Sequence, residues 1–328
     1  RRRGKVGSRM IYLLIPIGFA LLFVGGDALV RGAVGFAQRF GVSPMMIGAT
    51  VVAYGTTTPE LFVSLDAAFK GSPGIAVGNV IGSNICNFLL ILGVSSMIWP
   101  ISLARGASLN STGIILVFAT ALMLLLAWDG EIARWQGVLM VLLLVVLTVY
   151  NFQKERRQTA STNVYSEEAE EFAEKAPKSI SKSALTFFVG LLGVIFGADF
   201  LVRGAVALAR DAGVPEEVVG LTVVALGTSL PELATAVIAA WRRHSDVALG
   251  TVFGANIYNI LGIMGVVATV TPVPIPPQMV AFDLWFLLGI TAILAFWVRR
   301  FNVINRVAGA GFLICYGGYV SWQYLGTF

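Results

Sequence analysis

Two glutamates lie in the middle of long apolar stretches, and each directly follows a proline. Glu60 lies within residues 43–69 and Glu232 within residues 216–241, and no Lys or Arg stands near either glutamate in these stretches. A carboxylate at bilayer depth costs about 3 kcal/mol on insertion scales. Two such costs predict a cation or a proton that neutralises the charge. The alternative is a protonated, hydrogen-bonded glutamate with a structural role.

Each proline should interrupt its helix beside the glutamate. Proline lacks an N–H, and its ring clashes with the carbonyl four residues earlier, which belongs to Gly55 or Gly227. Carbonyls freed at bilayer depth are tolerated only where they face protein or a wet cavity. The same turns carry hydroxyl groups that could act as further oxygen ligands: Thr56, Thr57, Thr228 and Ser229.

The next apolar stretch of each half adds amide oxygens and a hydroxyl. Ser83 and Asn87 are four residues apart, so they share one face of a helix, and Asn259 follows in the second half. Together these groups offer carboxylate, amide, hydroxyl and carbonyl oxygens, without a His or Cys cluster. Such oxygen ligation suits Ca²⁺ and Na⁺ rather than Zn²⁺ or copper. Two carboxylates would also neutralise one Ca²⁺ ion.

The chain repeats itself at one fixed offset, since adding 172 to Glu60 gives Glu232. No gap is needed between residues 25 and 93 of the first half. Chance does not produce such a match, even in apolar sequence. The matching segments are Asp27–Val34 with Asp199–Val206, Gly48–Leu61 with Gly220–Leu233, and Gly82–Asn87 with Gly254–Asn259.

Composition places the chain in a membrane. Of its 328 residues, 57% are hydrophobic and 12% charged, whereas soluble domains carry about 25% charged residues. The net charge of +5 needs no nucleic acid to explain it. A spanning helix needs about 20 mostly apolar residues. Ten segments meet that condition: 10–38, 43–69, 73–99, 108–128, 132–152, 184–210, 216–241, 246–271, 279–298 and 304–325.

Five spans per repeat is an odd number, so the second repeat must be upside down relative to the first. We therefore predict an all-α polytopic membrane protein with ten transmembrane helices arranged as two inverted five-helix repeats. The first repeat covers 10–152 and the second 184–328, with a polar linker at 153–183 and a basic tail at 1–9. We expect either that Met10 is the native start or that residues 1–9 form a poorly ordered tail outside the fold.

Lys and Arg are distributed unevenly between the two predicted sides of the membrane. Positive residues concentrate in cytoplasmic loops, so the richer side, with the linker, should be cytoplasmic in an inner membrane, although the basic tail argues against this. The richer side also holds Arg39, Arg105, Arg242, Arg243, Arg299, Arg300 and Arg306, and the other side holds Lys70, Arg134 and Arg210.

The paired motifs resemble the two alpha-repeats of the Ca²⁺/cation antiporter superfamily, in its prokaryotic sodium/calcium exchanger form. They are Gly-Thr-Thr-Thr-Pro-Glu60 and Gly-Thr-Ser-Leu-Pro-Glu232, each followed by Gly-Ser/Ala-Asn-Ile-X-Asn. The resemblance implies ion sites at the midplane and Ca²⁺ and Na⁺ as transported ions. It also implies a non-enzyme without a cofactor, and we expect a functional monomer. The implied ligands are Glu60, Glu232, Thr56, Thr57, Thr228, Ser229, Ser83, Asn87, Asn259 and the carbonyls of Ala53 and Ala225.

Two positions depart from that pattern. Ala255 stands where many relatives have Ser, so one Na⁺ site lacks a hydroxyl. Asn259 stands where some relatives have Asp, including K⁺-dependent ones, and this departure argues against K⁺ co-transport. The first departure leaves Na⁺ or H⁺ open as the counter-ion, so Ca²⁺/H⁺ exchange is the alternative to Ca²⁺/Na⁺ exchange. A cation channel or sensor is a more distant alternative.

Other polar residues favour structural roles. Asp27–Arg31 and Asp199–Arg203 have the four-residue spacing of helical ion pairs. An intramembrane aspartyl protease would need two catalytic aspartates in unlike surroundings. The repeat makes Asp27 and Asp199 equivalent, so this class of enzyme is disfavoured. His244, the one histidine of the chain, follows two arginines in a short loop and is predicted to be solvated.

Overall fold

The protein is described by a computed structural model, which covers residues 11, 13–102, 107–159, 179–211, 225–301 and 303–325. Nearly all regular structure in these residues is helical. The first half has α1 (Leu14–Phe40), α2 (Pro44–Ile47), α3 (Ala53–Thr56), α4 (Thr58–Phe69), α5 (Pro73–Cys86), α6 (Leu92–Ile98), α7 (Ala107–Leu126) and α8 (Arg134–Thr159). The second has α9 (Ile180–Asp211), α10 (Ala225–Gly227), α11 (Leu230–Trp241), α12 (Ser245–Ile257), α13 (Met264–Val270), α14 (Leu284–Arg300) and α15 (Arg306–Leu325).

The described helices agree with most of the predicted spans but shift some boundaries. Six helical segments are long and apolar enough to cross a membrane, and two shorter apolar helices accompany them among the described residues. The count of ten spans therefore stays a prediction. Helix α8 continues to Thr159 and α9 begins at Ile180, so both extend into the segment predicted as linker at 153–183. The tail at 1–9 and residues 216–224 lie outside the described residues.

Helices α1 and α9 pack closely because glycines recur every seventh residue along both. Seven residues make about two helical turns, so these glycines form one seam on each helix. A Cβ atom added to Gly25 would lie 2.8 Å from the backbone nitrogen of Val194, and one added to Gly197 would lie 2.8 Å from that of Leu22. Backbone thus meets backbone along the contact. The seams consist of Gly18, Gly25 and Gly32 on α1 and of Gly190, Gly197 and Gly204 on α9.

Two helices are broken where the prolines predict it. Helix α3 ends at Thr56 and α4 begins at Thr58, with Thr57 between them at φ −83° and ψ 6°. In the second half α10 ends at Gly227 and α11 begins at Leu230. Each proline occupies the first turn of the later helix, where its missing N–H has no helical acceptor to lose. The breaks therefore put both glutamates at helix N-termini.

Within the part of the chain that the structure describes, four π-helical turns adjoin or interrupt the helices. Such turns are rare in proteins, and those that occur often lie at functional sites. The first, Gly48–Val52, joins α2 to α3, and a Cβ added to Gly48 would lie 2.8 Å from the carbonyl of Val247 on α12. This glycine lets the broken helix approach α12. The other three turns are Asn87–Ile91, Tyr258–Ile263 and Met279–Asp283.

Short strands link the two halves in a symmetric way. Ile101 pairs with Ile304, and Ile132 pairs with Val273. Adding 172 converts Ile101 to Val273 and Ile132 to Ile304, so exchanging the halves exchanges the two ladders. The strands are β1 (Ile101–Ser102), β2 (Glu131–Ile132), β3 (Val273–Pro274) and β4 (Val303–Ile304).

The prediction of a solvated His244 was wrong. His244 is 9% exposed. The chain turns sharply after α11, with Arg243 in the left-handed region at φ 62°, and the amide of His244 donates to the carbonyl of Ala239 at 2.7 Å. The turn folds the imidazole back against the protein, which a loop's polar composition alone does not reveal.

Candidate cation site

The two glutamates are buried at the centre of the protein. Glu60 and Glu232 are each 1% exposed, and each lies in the first turn of its helix, α4 or α11. A helix N-terminus carries partial positive charge and stabilises a nearby carboxylate. Neither glutamate forms an ion pair with a described Lys or Arg. Helix ends alone therefore do not balance two buried negative charges, and the site requires cations or protons.

Each half of the chain contributes a hydroxyl to the carboxylate of the other half. Thr57 Oγ1 donates to Glu232 Oε1 at 2.8 Å, and Ser229 Oγ lies 3.5 Å from Glu60 Oε1. Since Thr57 and Ser229 are equivalent in the repeat, these two contacts are symmetric counterparts. They bring both carboxylates and both helix breaks into one site.

The second oxygen of each carboxylate has no hydrogen-bond donor among the described residues. The same holds for the amide oxygens of Asn87 and Asn259. A buried acceptor without a partner costs about 1–3 kcal/mol. Glu60 Oε2, Glu232 Oε2, Asn87 Oδ1 and Asn259 Oδ1 are four such oxygens, and Asn84 Oδ1 is a fifth. Carboxylate and amide oxygens are the ligand type that hard cations such as Ca²⁺ prefer.

Hydrogen bonds hold both amides by their nitrogen atoms. Asn87 Nδ2 donates to Asn256 Oδ1 at 2.8 Å, and Asn259 Nδ2 donates to Ser83 Oγ at 2.9 Å. With the nitrogen fixed, the oxygen of each amide is left for a ligand. Both asparagines also stand at or beside the start of a π turn, which alters the direction of the side chain.

Ser83 therefore positions Asn259, in addition to its predicted role as a cation ligand. Its hydroxyl accepts from Asn259 and donates to the carbonyl of Val80 at 3.2 Å. One lone pair of the hydroxyl stays available, so ligation by Ser83 stays a prediction. The equivalent residue Ala255 is fully buried and offers no hydroxyl to the first half.

The remaining predicted ligands differ in their surroundings. Thr56 is fully buried, and its hydroxyl lies 3.2 Å from the carbonyls of Val52 and Ala53. The Ala53 carbonyl also accepts from the amide of Thr57 at 2.9 Å. Thr228 lies in the second break and is partly exposed, and Ala225 begins α10.

Sequence reasoning missed Asn84 and Asn256. Both are fully buried, and Asn256 also donates through Nδ2 to the carbonyl of Asn84 at 3.3 Å. The signal was present, because each motif carries a second asparagine three residues before Asn87 or Asn259. Tyr54 and Tyr258 were also not predicted as partners, and their rings stack at 4.5 Å between centroids.

Known proteins match this chain over nearly its full length. The Escherichia coli inner membrane protein YrbG is 34% identical over 313 residues, covering 94% of both chains. The sodium/calcium exchanger MaX1 of Methanosarcina acetivorans is 28% identical over 339 residues, covering 93% of this chain and 96% of that protein. A structure of the sodium-calcium exchanger NCX_Mj soaked with Na⁺ and Sr²⁺ has a TM-score of 0.81 and 30% identity, covering 95% of this chain and 98% of that one.

The matches and the long apolar helices identify the chain as a multi-pass membrane protein. The relatives named for an activity are exchangers rather than enzymes. Residues 10–153 and 182–325 match the profile of one family, so both halves are covered. The chain belongs to the sodium/calcium exchanger protein family.

Proposed function

We propose that the chain is a secondary active antiporter that exchanges Ca²⁺ for Na⁺ by alternating access. The observation that carries this proposal is a buried site in which Glu60 and Glu232, one from each half, each keep a carboxylate oxygen free of hydrogen bonds to described residues. A site shared between halves can open to one side when the halves move relative to each other.

Ten transmembrane helices in two inverted repeats provide the framework for this exchange. Three symmetric features support the arrangement: the paired strand ladders, the crossed hydroxyl–carboxylate contacts, and the equivalent helix breaks. Helices α4 and α11 also begin and end at residues that differ by the same 172. Either half can therefore adopt the conformation of the other.

The mechanism follows from the cost of an empty site. Two buried, uncompensated carboxylates are unfavourable, so only a site loaded with Ca²⁺ or with Na⁺ changes sides readily. Na⁺ entering from one side displaces Ca²⁺, because both ions compete for Glu60, Glu232, Asn87 and Asn259. The amides supply neutral ligands, and the two carboxylates supply the charge that matches Ca²⁺.

The surroundings of the exchanger are part of the proposal. We place it in an inner membrane as a functional monomer with residues 153–183 on the cytoplasmic side. Support comes from the concentration of arginines on that side and from the relative YrbG, which is named an inner membrane protein. Arg242, Arg299 and Arg306 all lie at helix ends that this orientation assigns to the cytoplasm.

Ca²⁺/H⁺ exchange is the second candidate. The observation in its favour is Ala255, since the missing hydroxyl removes an oxygen ligand that Na⁺ would use. Carboxylates at Glu60 and Glu232 can carry protons instead of Na⁺. In proteoliposomes at clamped voltage, ⁴⁵Ca²⁺ uptake driven by an Na⁺ gradient supports the first candidate, and uptake driven by a pH gradient alone supports the second.

The test of exchange itself uses proteoliposomes loaded with Na⁺ and diluted into ⁴⁵Ca²⁺. We expect uptake against a Ca²⁺ gradient, which a channel cannot produce, and its loss in Glu60→Gln and in Glu232→Gln. The exposed Glu131 provides a matched control, since Glu131→Gln should retain uptake. Uptake that survives both site substitutions would refute the proposal.

A further inference from the structure

Helix α1 contacts the end of α11 through an ion pair and an aromatic pair. Asp27 Oδ1 accepts from Arg242 Nη2 at 2.6 Å, in addition to the ion pair of Asp27 with Arg31 on its own helix. The rings of Phe23 and Trp241 lie 5.2 Å apart. We call the Asp27–Arg242 ion pair the first latch. It connects the glycine seam of α1 to the helix that carries Glu232.

The equivalent contact in the other half is open. Adding or subtracting 172 relates Asp27 to Asp199 on α9 and Arg242 to Lys70 at the end of α4. Asp199 instead pairs with Arg203 on its own helix at 2.9 Å, and its side chain is 41% exposed. Lys70 pairs with Asp66 on its own helix at 2.6 Å and is 71% exposed.

The apolar neighbours show the same asymmetry. Ile238 is 5% exposed and packs against Gly26 of α1. Its equivalent is Asp66, which is exposed. Phe69 is 72% exposed, whereas its equivalent Trp241 is 48% exposed and contacts Phe23 of α1. This face of α4 is thus more exposed than the equivalent face of α11, which packs against α1.

We propose that Asp199 and Lys70 form a second latch, which closes when the first latch opens. This inference rests on the proposed function, because an exchanger with two equivalent halves reaches its opposite-facing state when the halves exchange conformations. Helix α9 then docks on α4 as α1 now docks on α11. Asp199 and Lys70 act as positioning residues, since they hold helices and touch no ion.

Asp66 gives the second latch a property that the first lacks. In the open position Lys70 is held by Asp66, whereas the residue equivalent to Asp66 is the apolar Ile238. Closing the second latch therefore exchanges one carboxylate partner of Lys70 for another. The Lys70–Asp66 pair is solvent-exposed, so breaking it costs little stability. We expect Asp66→Asn to favour the closed second latch.

Cross-linking tests the proposal without measuring transport. Cysteine pairs at 70/199 and at 27/242 are made separately in a chain with the exposed Cys315 changed to serine, and a thiol-specific cross-linker is added in liposomes. We expect the 27/242 pair to cross-link in the state with the first latch closed and the 70/199 pair to cross-link when the ion gradients are reversed. A 70/199 pair that never cross-links while the 27/242 pair does would overturn the proposal.

Charge reversal provides the functional test. We expect Lys70→Asp and Asp199→Lys each to slow exchange several-fold, and the double variant to recover most of the rate. Arg134, exposed at the start of α8, serves as control, because Arg134→Asp should leave the rate of exchange unchanged and should not restore the rate of Asp199→Lys. Single variants with wild-type rates, or a double variant without recovery, would overturn the latch. If the proposed function itself is wrong, exchange will instead be absent in every variant and in the unmodified protein.

Discussion

Asn256 offers a sharp test of how the site is positioned, because its oxygen holds the amide nitrogen of Asn87 at 2.8 Å. In Asn256→Leu the buried Nδ2 of Asn87 loses its acceptor, and an unpaired buried donor costs about 1–3 kcal/mol. The amide can avoid that cost by turning, but turning removes Asn87 Oδ1 from the cation. Ca²⁺ affinity should therefore fall by about 5- to 150-fold.

The repeat supplies the control for this substitution. Asn84 is equivalent to Asn256 and equally buried, but its amide donates only to Val80 on its own helix within the described residues, at 2.6 Å, and its oxygen has no donor there. The assay is the Ca²⁺ dependence of exchange in proteoliposomes, with thermal unfolding measured alongside. Asn84→Leu should change the KM for Ca²⁺ much less than Asn256→Leu. Equal effects of the two substitutions on KM would refute the positioning argument.

Three further predictions concern residues in and around the site. Ala255→Ser adds a hydroxyl where Ser83 has one, so half-maximal exchange should need less Na⁺; an unchanged Na⁺ dependence would favour proton coupling. Burial, with Arg242 nearby, lowers the pKa of His244 from 6.5 to about 4, so stability should fall as pH drops through that window, by at most about 1.4 kcal/mol per pH unit. His244→Asn should flatten this slope in detergent unfolding curves, and an identical slope would contradict the assignment. Gly25→Ala places a Cβ 2.8 Å from the backbone nitrogen of Val194 and should cost about 1–3 kcal/mol of stability, whereas the Cβ of Gly289→Ala meets nothing within 4 Å, so that change should be tolerated.

Local chemistry made the central features of the site predictable. A proline lacks an N–H wherever it stands, so Pro59 and Pro231 predict helix breaks from the sequence alone. The repeat then predicts that Glu60 and Glu232 meet, because inverted halves face each other across one site. Both inferences need only the identity and spacing of residues.

Features that depend on helix rotation were not predictable. Whether Asn84 or Asn87 faces the two glutamates depends on the π turn that begins at Asn87, and helical periodicity does not show such a turn. The partner of Asn256 lies across the halves, where sequence spacing carries no information. Burial of His244 depends on the left-handed conformation of Arg243, an uncommon one for a residue other than glycine.

The central claim is that one Ca²⁺ ion is held jointly by a carboxylate from each half. Equilibrium ⁴⁵Ca²⁺ binding to the purified protein tests it directly in Glu60→Gln, Glu232→Gln and the double variant. Each single substitution should weaken binding by about 30-fold or more, since truncating one member of a buried charge pair costs about 2–5 kcal/mol. The double variant should lose less than the product of the two single losses. A single variant that binds Ca²⁺ with near wild-type affinity, or two losses that multiply as independent sites would, contradicts joint ligation.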